Sequence, residues 1–273
     1  MNVEEWLGKD NQLGIDIWNK KYRCNNESFD DWLNRVTGGN EEVQKLIVEH
    51  KFLYGGRILA NRGMTESRKI SYSNCYVVTP PEDNIESIFD CARNLARTYS
   101  YGGGCGVDIS KLAPRGATIH NAAKTTSGSV SFMDLYSLVT GLIGQAGRRG
   151  ALMISLSCEH PDLEEFIEVK NDLNKVLFAN ISVRVTDAFM DAVCGRGQVP
   201  EDTSFRLHFV REETGEVIEK VVDAREVFSK LTENNWSSAE PGILFWDRIK
   251  KWNLLSGTEE FEYAGVNPCA ETM

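Results

Sequence analysis

The stretch ALMISLSCEHPDLEEFIEVKNDLNKVLFANISVRVTDAFMDAVC, residues 151–194, decides the fold class. Two short apolar runs, 151–156 and 179–185, have the length and aliphatic content of buried strands. Segments 162–171 and 187–194 carry the helical patterns that follow them. Strand, helix, strand, helix in so few residues argues for an α/β fold with a largely parallel sheet or barrel.

The same alternation extends outward. Towards the N-terminus, 130–143 is a helix apolar on most faces, fit for a core or a subunit interface. Residues 85–99 form a helix with one apolar stripe: Ile85, Ile88, Phe89, Ala92, Leu95, Ala96 and Tyr99. The two helices are expected to pack side by side and to leave an apolar face uncovered. A strand over 69–78 carries Asn74 and Cys75 and closes at Pro80-Pro81, and a shorter strand lies near 107–109. Towards the C-terminus, 205–210 and 216–222 form a hairpin around Thr214-Gly215. Asp223-Ala224-Arg225-Glu226 then resembles a capping box opening another helix. Before residue 60 the pattern is helical, broken at Gly38-Gly39-Asn40. The expected division is a helical region over 1–65 and an α/β region over 66–273.

The 273 residues are 41% hydrophobic and 26% charged, as in an ordinary globular protein. No apolar run is long enough to span a membrane, and Met1–Trp6 lacks the basic-then-apolar pattern of a secretory signal. A cytoplasmic location is expected. A net charge of −10 argues against binding long nucleic acid, though not against a small phosphorylated ligand. Seven widely spaced cysteines without a C-x-x-C pair form neither a disulfide framework nor a zinc site. His50, His120, His160 and His208 do not cluster at ligand spacing, so no metal site is expected.

Three segments carry chemistry. Gly102-Gly103-Gly104-Cys105-Gly106 either cradles a phosphate with its amides or makes a tight turn. Gly144-Gln145-Ala146-Gly147-Arg148-Arg149-Gly150 is either a phosphate- or base-contacting loop or a solvated one. Asn267-Pro268-Cys269-Ala270-Glu271 places a thiol between an amide and a carboxylate. Pro268 biases Asn267 to extended backbone, and alternation would put Asn267, Cys269 and Glu271 on one face. A Cys269 nucleophile would need a histidine beside it.

In this order, Asn74-Cys75, the 81–88 segment PEDNIESI, the two glycine-rich segments, the 240–247 segment EPGILFWD and Asn267–Glu271 resemble the catalytic subunit of ribonucleotide reductase. The N-P-C-x-E form is most similar to the class II, adenosylcobalamin-dependent enzymes. The resemblance implies a helical N-terminal region followed by about half of a ten-stranded α/β barrel. It implies reduction of ribonucleoside di- or triphosphates to deoxyribonucleotides by thiyl-radical chemistry. Cys269 would carry the radical and remove the ribose 3' hydrogen. Glu271 would act as base at the 3' hydroxyl, and Asn267 would hold the substrate hydroxyls. Cys75 would be one member of the redox pair that acts as the 2' hydroxyl leaves. Asn74, Gly103 and Gly104 would lie on the substrate side.

The resemblance places a deoxynucleoside triphosphate effector near Asp83, Lys111 and Arg115. Gln145 to Ala151 would link effector identity to base choice, with Arg149 on the base side. The implied cofactor is adenosylcobalamin, or a radical supplied by a separate metal-containing subunit. The implied partners are a dithiol reductant such as thioredoxin, the C-terminal half of the catalytic chain and a second copy of the chain. The second redox cysteine and the later barrel segments would lie beyond Met273, so the chain alone is expected to be inactive. The competing reading is a nucleotide-binding regulatory or assembly fragment without turnover.

Overall fold

A computed structural model describes all residues except 65–68, 120–122, 144–149, 198–200, 260 and 272–273. The chain divides into two compact units, Met1–Asn74 and Cys75–Met273.

The first unit is helical: α1 (Val3–Leu7), α2 (Gln12–Ile17) running into a π-helical turn (Trp18–Tyr22), α3 (Phe29–Thr37), α4 (Glu41–Val48) and α5 (Gly56–Asn61). Asn2, Asn11, Ser28 and Asn40 cap α1 to α4, each accepting a bond from a backbone N–H of the first turn. The break expected at 38–40 has two parts. Gly38 ends α3 in the left-handed conformation, and Asn40 starts α4. Trp6, Trp18, Phe29 and Trp32 make an aromatic core with Val36, Ile47 and Leu59. Arg35 ties the helices together by donating to the Glu27 carboxylate and to the carbonyls of Tyr22, Leu59 and Arg62.

The second unit is built on five parallel strands: β1 (Cys75–Val77), β2 (Gly104–Asp108), β3 (Leu152–Ser157), β4 (Asn180–Val185) and, after a hairpin of β5 (Ser204–Val210) and β6 (Val217–Asp223), β7 (Gly242–Phe245). Their order in the sheet is β1-β2-β3-β4-β7. Each new parallel strand is added on the same side as the last. A doubly wound sheet reverses direction at a switch point; this one does not, as expected for an arc of a barrel. The crossovers are α6 (Ile85–Ser100), α7 (Ser129–Leu142) and α8 (Leu163–Glu168). They are followed by α9 (Asp187–Val193), α10 (Ala224–Ser238), capped by Asp223, and α11 (Trp246–Trp252).

Alternation along the strands separates two faces. Cys105, Val107, Leu152, Ile154, Leu156, Ile181, Val183 and Val185 pack with the helices in the main core. The register puts Cys75, Gly104, Gly106, Asp108, Met153, Ser155, Ser182, Arg184 and Leu244 on the opposite, inner face. Helices α6 and α7 pack together: Tyr136 donates to the Ile88 carbonyl at 3.3 Å, and the Thr140 and Tyr99 hydroxyls meet at 3.0 Å. Ile85, Phe89, Leu138 and Leu142 of the same helices remain exposed. Among the described residues, no helix is long and apolar enough to cross a membrane.

The strand expected over 69–78 is ordered as strand only at Cys75–Val77. The glycine run starts as a turn at Gly102 and becomes strand at Gly104. Gly104-Cys105-Gly106 is the body of β2, and the amides of Gly102, Gly103 and Cys105 already donate to the carbonyls of Tyr99, Thr98 and Ala151. Those amides close the C-terminus of α6 and pair β2 with β3, so they do not form an open phosphate cradle.

Candidate active site

The inner face of β2 is occupied by the chain's own later segment. A Cβ at Gly106 would stand 1.7 Å from the carbonyl oxygen of Val266, and one at Gly104 would stand 2.9 Å from Cγ of Pro268. Glycine is required at 106, where the clash is with backbone, and favoured at 104, because residues 264–268 lie directly on the strand. The segment carries buried Gly265, Val266, Asn267 and Pro268, then exposed Cys269. Val266 is anchored in a small cluster with Met153, Leu244, Trp246 and Ile249, against which Tyr263 and Ala270 pack.

Residues 267–270 are not extended. The Ala270 N–H donates to the Asn267 carbonyl at 3.0 Å, closing a turn with Pro268 and Cys269 at its centre. Proline's fixed φ suits the second position of such a turn, and this preference outweighs its bias on the preceding residue. Asn267 and Glu271 still meet, through the turn rather than through strand alternation: the Asn267 side-chain amide donates to Glu271 Oε2. The outcome is an amide that orients a carboxylate, with a thiol between them.

Cys75 pairs with Gly104 in the register, so it sits on the inner face one strand away from the position that Pro268 covers. The Cys269 thiol pKa is raised by partial desolvation, then by the negative charge of Glu271, with a smaller contribution from the nearby Cys75. The thiol therefore stays protonated at neutral pH. A nucleophilic cysteine needs the opposite environment, a positive or basic neighbour that lowers its pKa. A protonated thiol beside a carboxylate suits exchange of a hydrogen atom. Cys91, Cys105 and Cys158 lie in the helical core, where burial pushes their thiols up to about 11, 12 and 11; they are packing residues.

Cys75 and Asn267 line a cleft of about 560 Å³ together with Val77, Thr79, Phe261 and Tyr263. Cys269 shares their face of the sheet but is not part of that lining. Asn74, the last residue of the first unit, accepts a bond from Arg57 Nε at 2.9 Å.

With this geometry in place, comparison with known proteins decides the family. Residues 73–273 match the barrel domain of ribonucleotide reductase. The chain belongs to the ribonucleotide reductase family. The vitamin B12-dependent ribonucleoside-diphosphate reductase of Thermoplasma acidophilum is 35% identical over 210 residues, covering 76% of this chain and 26% of that protein. The enzyme of the same name from Mycobacterium tuberculosis is 35% identical over 234 residues, covering 85% and 32%. The vitamin B12-dependent ribonucleotide reductase of Streptomyces avermitilis is 32% identical over 257 residues, covering 85% and 25%. The chain thus spans about a quarter to a third of the length of these reductases.

The residues expected at a reductase effector site are only partly brought together. Asp83 and Lys111 line one cleft of about 420 Å³ at the start of α6. Asp83 accepts bonds from Ala113 N–H and Arg211 Nε, each at 2.9 Å, and Lys111 pairs with Glu82 at 2.7 Å. Arg115 lines a different cleft and pairs with Glu165. Gln145 and Arg149 lie outside the described residues.

Sequence reasoning missed Arg211, which ties the β5–β6 hairpin to Asp83. It also missed Asp108 and Arg184, a buried ion pair at 3.0 Å on the inner face. A charged residue inside an otherwise apolar strand was the available signal for the pair.

Proposed function

We propose that this chain is the part of a cobalamin-dependent ribonucleotide reductase that carries the radical thiol and one redox cysteine. The observation that carries the reading is the 267–271 turn laid across Gly104 and Gly106. It sets a protonated thiol beside an oriented carboxylate, on the face that also holds Cys75. In this reading Cys269, as a thiyl radical, takes the 3' hydrogen of the ribose, and Glu271 takes the proton of the 3' hydroxyl. Asn267 orients Glu271 and the substrate hydroxyls. The 2' hydroxyl leaves as water with a proton from one thiol of a pair, and the pair's second hydrogen goes to C2', as Cys75 and a second thiol are oxidised to a disulfide. Cys269 then returns the hydrogen to C3', and an external dithiol such as thioredoxin reduces the disulfide.

Cys269 is exposed while the four residues before it are buried, so its thiol is open to a group bound outside the segment. Adenosylcobalamin, when bound there, supplies the one-electron oxidation of that thiol. The substrate is a ribonucleoside di- or triphosphate. We assign the deoxynucleoside triphosphate effector side to Asp83 and Lys111, which share a cleft, and to Arg115, Gln145 and Arg149. The exposed stripes of α6 and α7 suit pairing with a second copy of the chain. Gly103 and Gly104 shape the substrate side through backbone rather than through free amides.

The test is nucleotide reduction with adenosylcobalamin and dithiol, using the chain complemented with the parts of a full-length relative that it lacks. Cys269→Ser abolishes turnover, because a hydroxyl does not replace the thiol as radical carrier. Cys75→Ala blocks dithiol-driven multiple turnover. Sustained deoxynucleotide formation by the Cys269→Ser protein would overturn the assignment.

A further inference from the structure

A buried polar and aromatic chain on the inner face lies beside the thiol segment, and the proposed chemistry leaves it unused. Asp108 ends β2 and is 3% exposed. It accepts a bond from Ser155 Oγ at 2.7 Å and pairs with Arg184 Nε at 3.0 Å. The Arg184 guanidinium also lies 4.4 Å from the centroid of the Trp246 ring, at the start of α11. Trp246 meets Tyr263 edge-on, with centroids 5.4 Å apart at 87°, and shares its cluster with Val266. A Cβ at Gly265 would lie 3.8 Å from that of Asp108, so the thiol segment passes directly over Asp108.

A buried ion pair is a poor device for stability, because desolvating both charges offsets their attraction. It is a good device for direction. A guanidinium ion-paired with Asp108, donating to Ser110 Oγ at 3.1 Å and lying over an indole restricts the orientation of that ring. The oriented ring is the wall against which Tyr263 and Val266 sit, immediately ahead of the 267–271 turn. We propose that Arg184 is a positioning residue for Cys269: clamped between Asp108 and Trp246, it fixes the surface that holds residues 263–271 across β2. The proposal takes from the preceding section that Cys269 is the reacting thiol. Its test reads position rather than turnover, so the two stand or fall separately.

The test uses the 273-residue chain and iodoacetamide, with alkylation of Cys269 and of exposed Cys194 followed separately by peptide mass spectrometry. Arg184→Met removes the clamp. Asp108→Asn with Arg184→Met removes it without leaving a lone buried carboxylate, which guards against simple misfolding. Both variants should release the segment about tenfold more often, read as about tenfold faster hydrogen exchange of the buried 265–267 amides, the shift expected for losing a cation–π contact. Cys269, already exposed, should alkylate faster in step as it leaves Glu271, while Cys194 is unchanged. Arg184→Lys keeps the charge but not the fork or the stack, and should fall between parent and Arg184→Met. A folded double variant with parental Cys269 reactivity would overturn the proposal. So would a Cys194 rate that rises with that of Cys269, or an Arg184→Lys protein indistinguishable from the parent.

Discussion

Replacing Gly106 by alanine tests the central geometric feature directly. The added Cβ would stand 1.7 Å from the Val266 carbonyl oxygen, 2.9 Å from its carbon and 3.3 Å from the Asn267 carbonyl carbon. All three are backbone atoms, so no side chain can swing aside. A carbon and a carbonyl oxygen rest at about 3.3 Å, so the segment must lift by about 1.6 Å. Overpacking of this kind costs about 3 kcal/mol if the segment stays docked. For a unit of this size that lowers the melting temperature by roughly 6–12 °C. If the segment instead leaves the strand, the melting temperature changes less, but the amides of 264–268 lose their exchange protection. Gly104→Ala meets Pro268 Cγ at 2.9 Å and Ala151 Cβ at 3.1 Å, where a few tenths of an ångström suffice, so its cost is about 1 kcal/mol. Gly197→Ala meets nothing within 4 Å and serves as the neutral control. Differential scanning calorimetry and hydrogen exchange on the three variants decide the matter. A Gly106→Ala protein with parental melting and parental protection over 264–268 would refute the placement of the segment on β2.

Three further outcomes follow from the same contacts. Glu271→Gln removes one of the negative charges that raise the Cys269 pKa, so the midpoint of the alkylation rate against pH should move down; an unchanged midpoint would separate Glu271 from the thiol. Arg211→Met strips Asp83 of its ion pair and should cost about 2 kcal/mol, less than for a fully buried pair because Asp83 keeps partial exposure; urea denaturation measures it. His160 is buried, accepts from the Asp162 N–H at Nδ1 and faces the Leu112 carbonyl through Nε2, and burial lowers its pKa from 6.5. The unfolded state then binds the proton first, so this contribution to stability is complete above about pH 6.5 and is lost as pH falls below it. His160→Gln should flatten that part of the stability–pH curve, as read by calorimetry between pH 5 and 8; a slope identical to the parent's would assign it to other groups.

The repeating strand and helix pattern was legible because both periods are local properties of the chain. Residues 152–157 and 180–185 form strands, 187–193 a helix, and 204–210 with 217–223 a hairpin, all close to where the sequence puts them. What was not legible has a distant cause. Gly104 and Gly106 read as loop because glycine is a poor strand former; they are strand because a segment some 160 positions later rests on them. The Asn267–Glu271 contact was anticipated with the wrong backbone, since the turn that makes it competes with the extended bias ahead of proline. Asp108, Arg184 and Arg211 were passed over because their partners lie on other strands or loops, and only the register brings them together.

The one-directional strand order also bears on how the chain reaches this state. Each of β2 to β4 pairs with the strand made just before it, so the sheet can grow in step with synthesis without a later strand displacing an earlier pairing. Docking of 263–271 on β2 is the exception, because that segment is made only after all the strands it crosses and adjoins. Until then the inner face of β2 is uncovered. At Gly104 and Gly106 that waiting face has no side chain, and so offers little apolar surface to a neighbouring chain. The two glycines that admit the thiol segment therefore also keep its empty berth from becoming sticky during assembly.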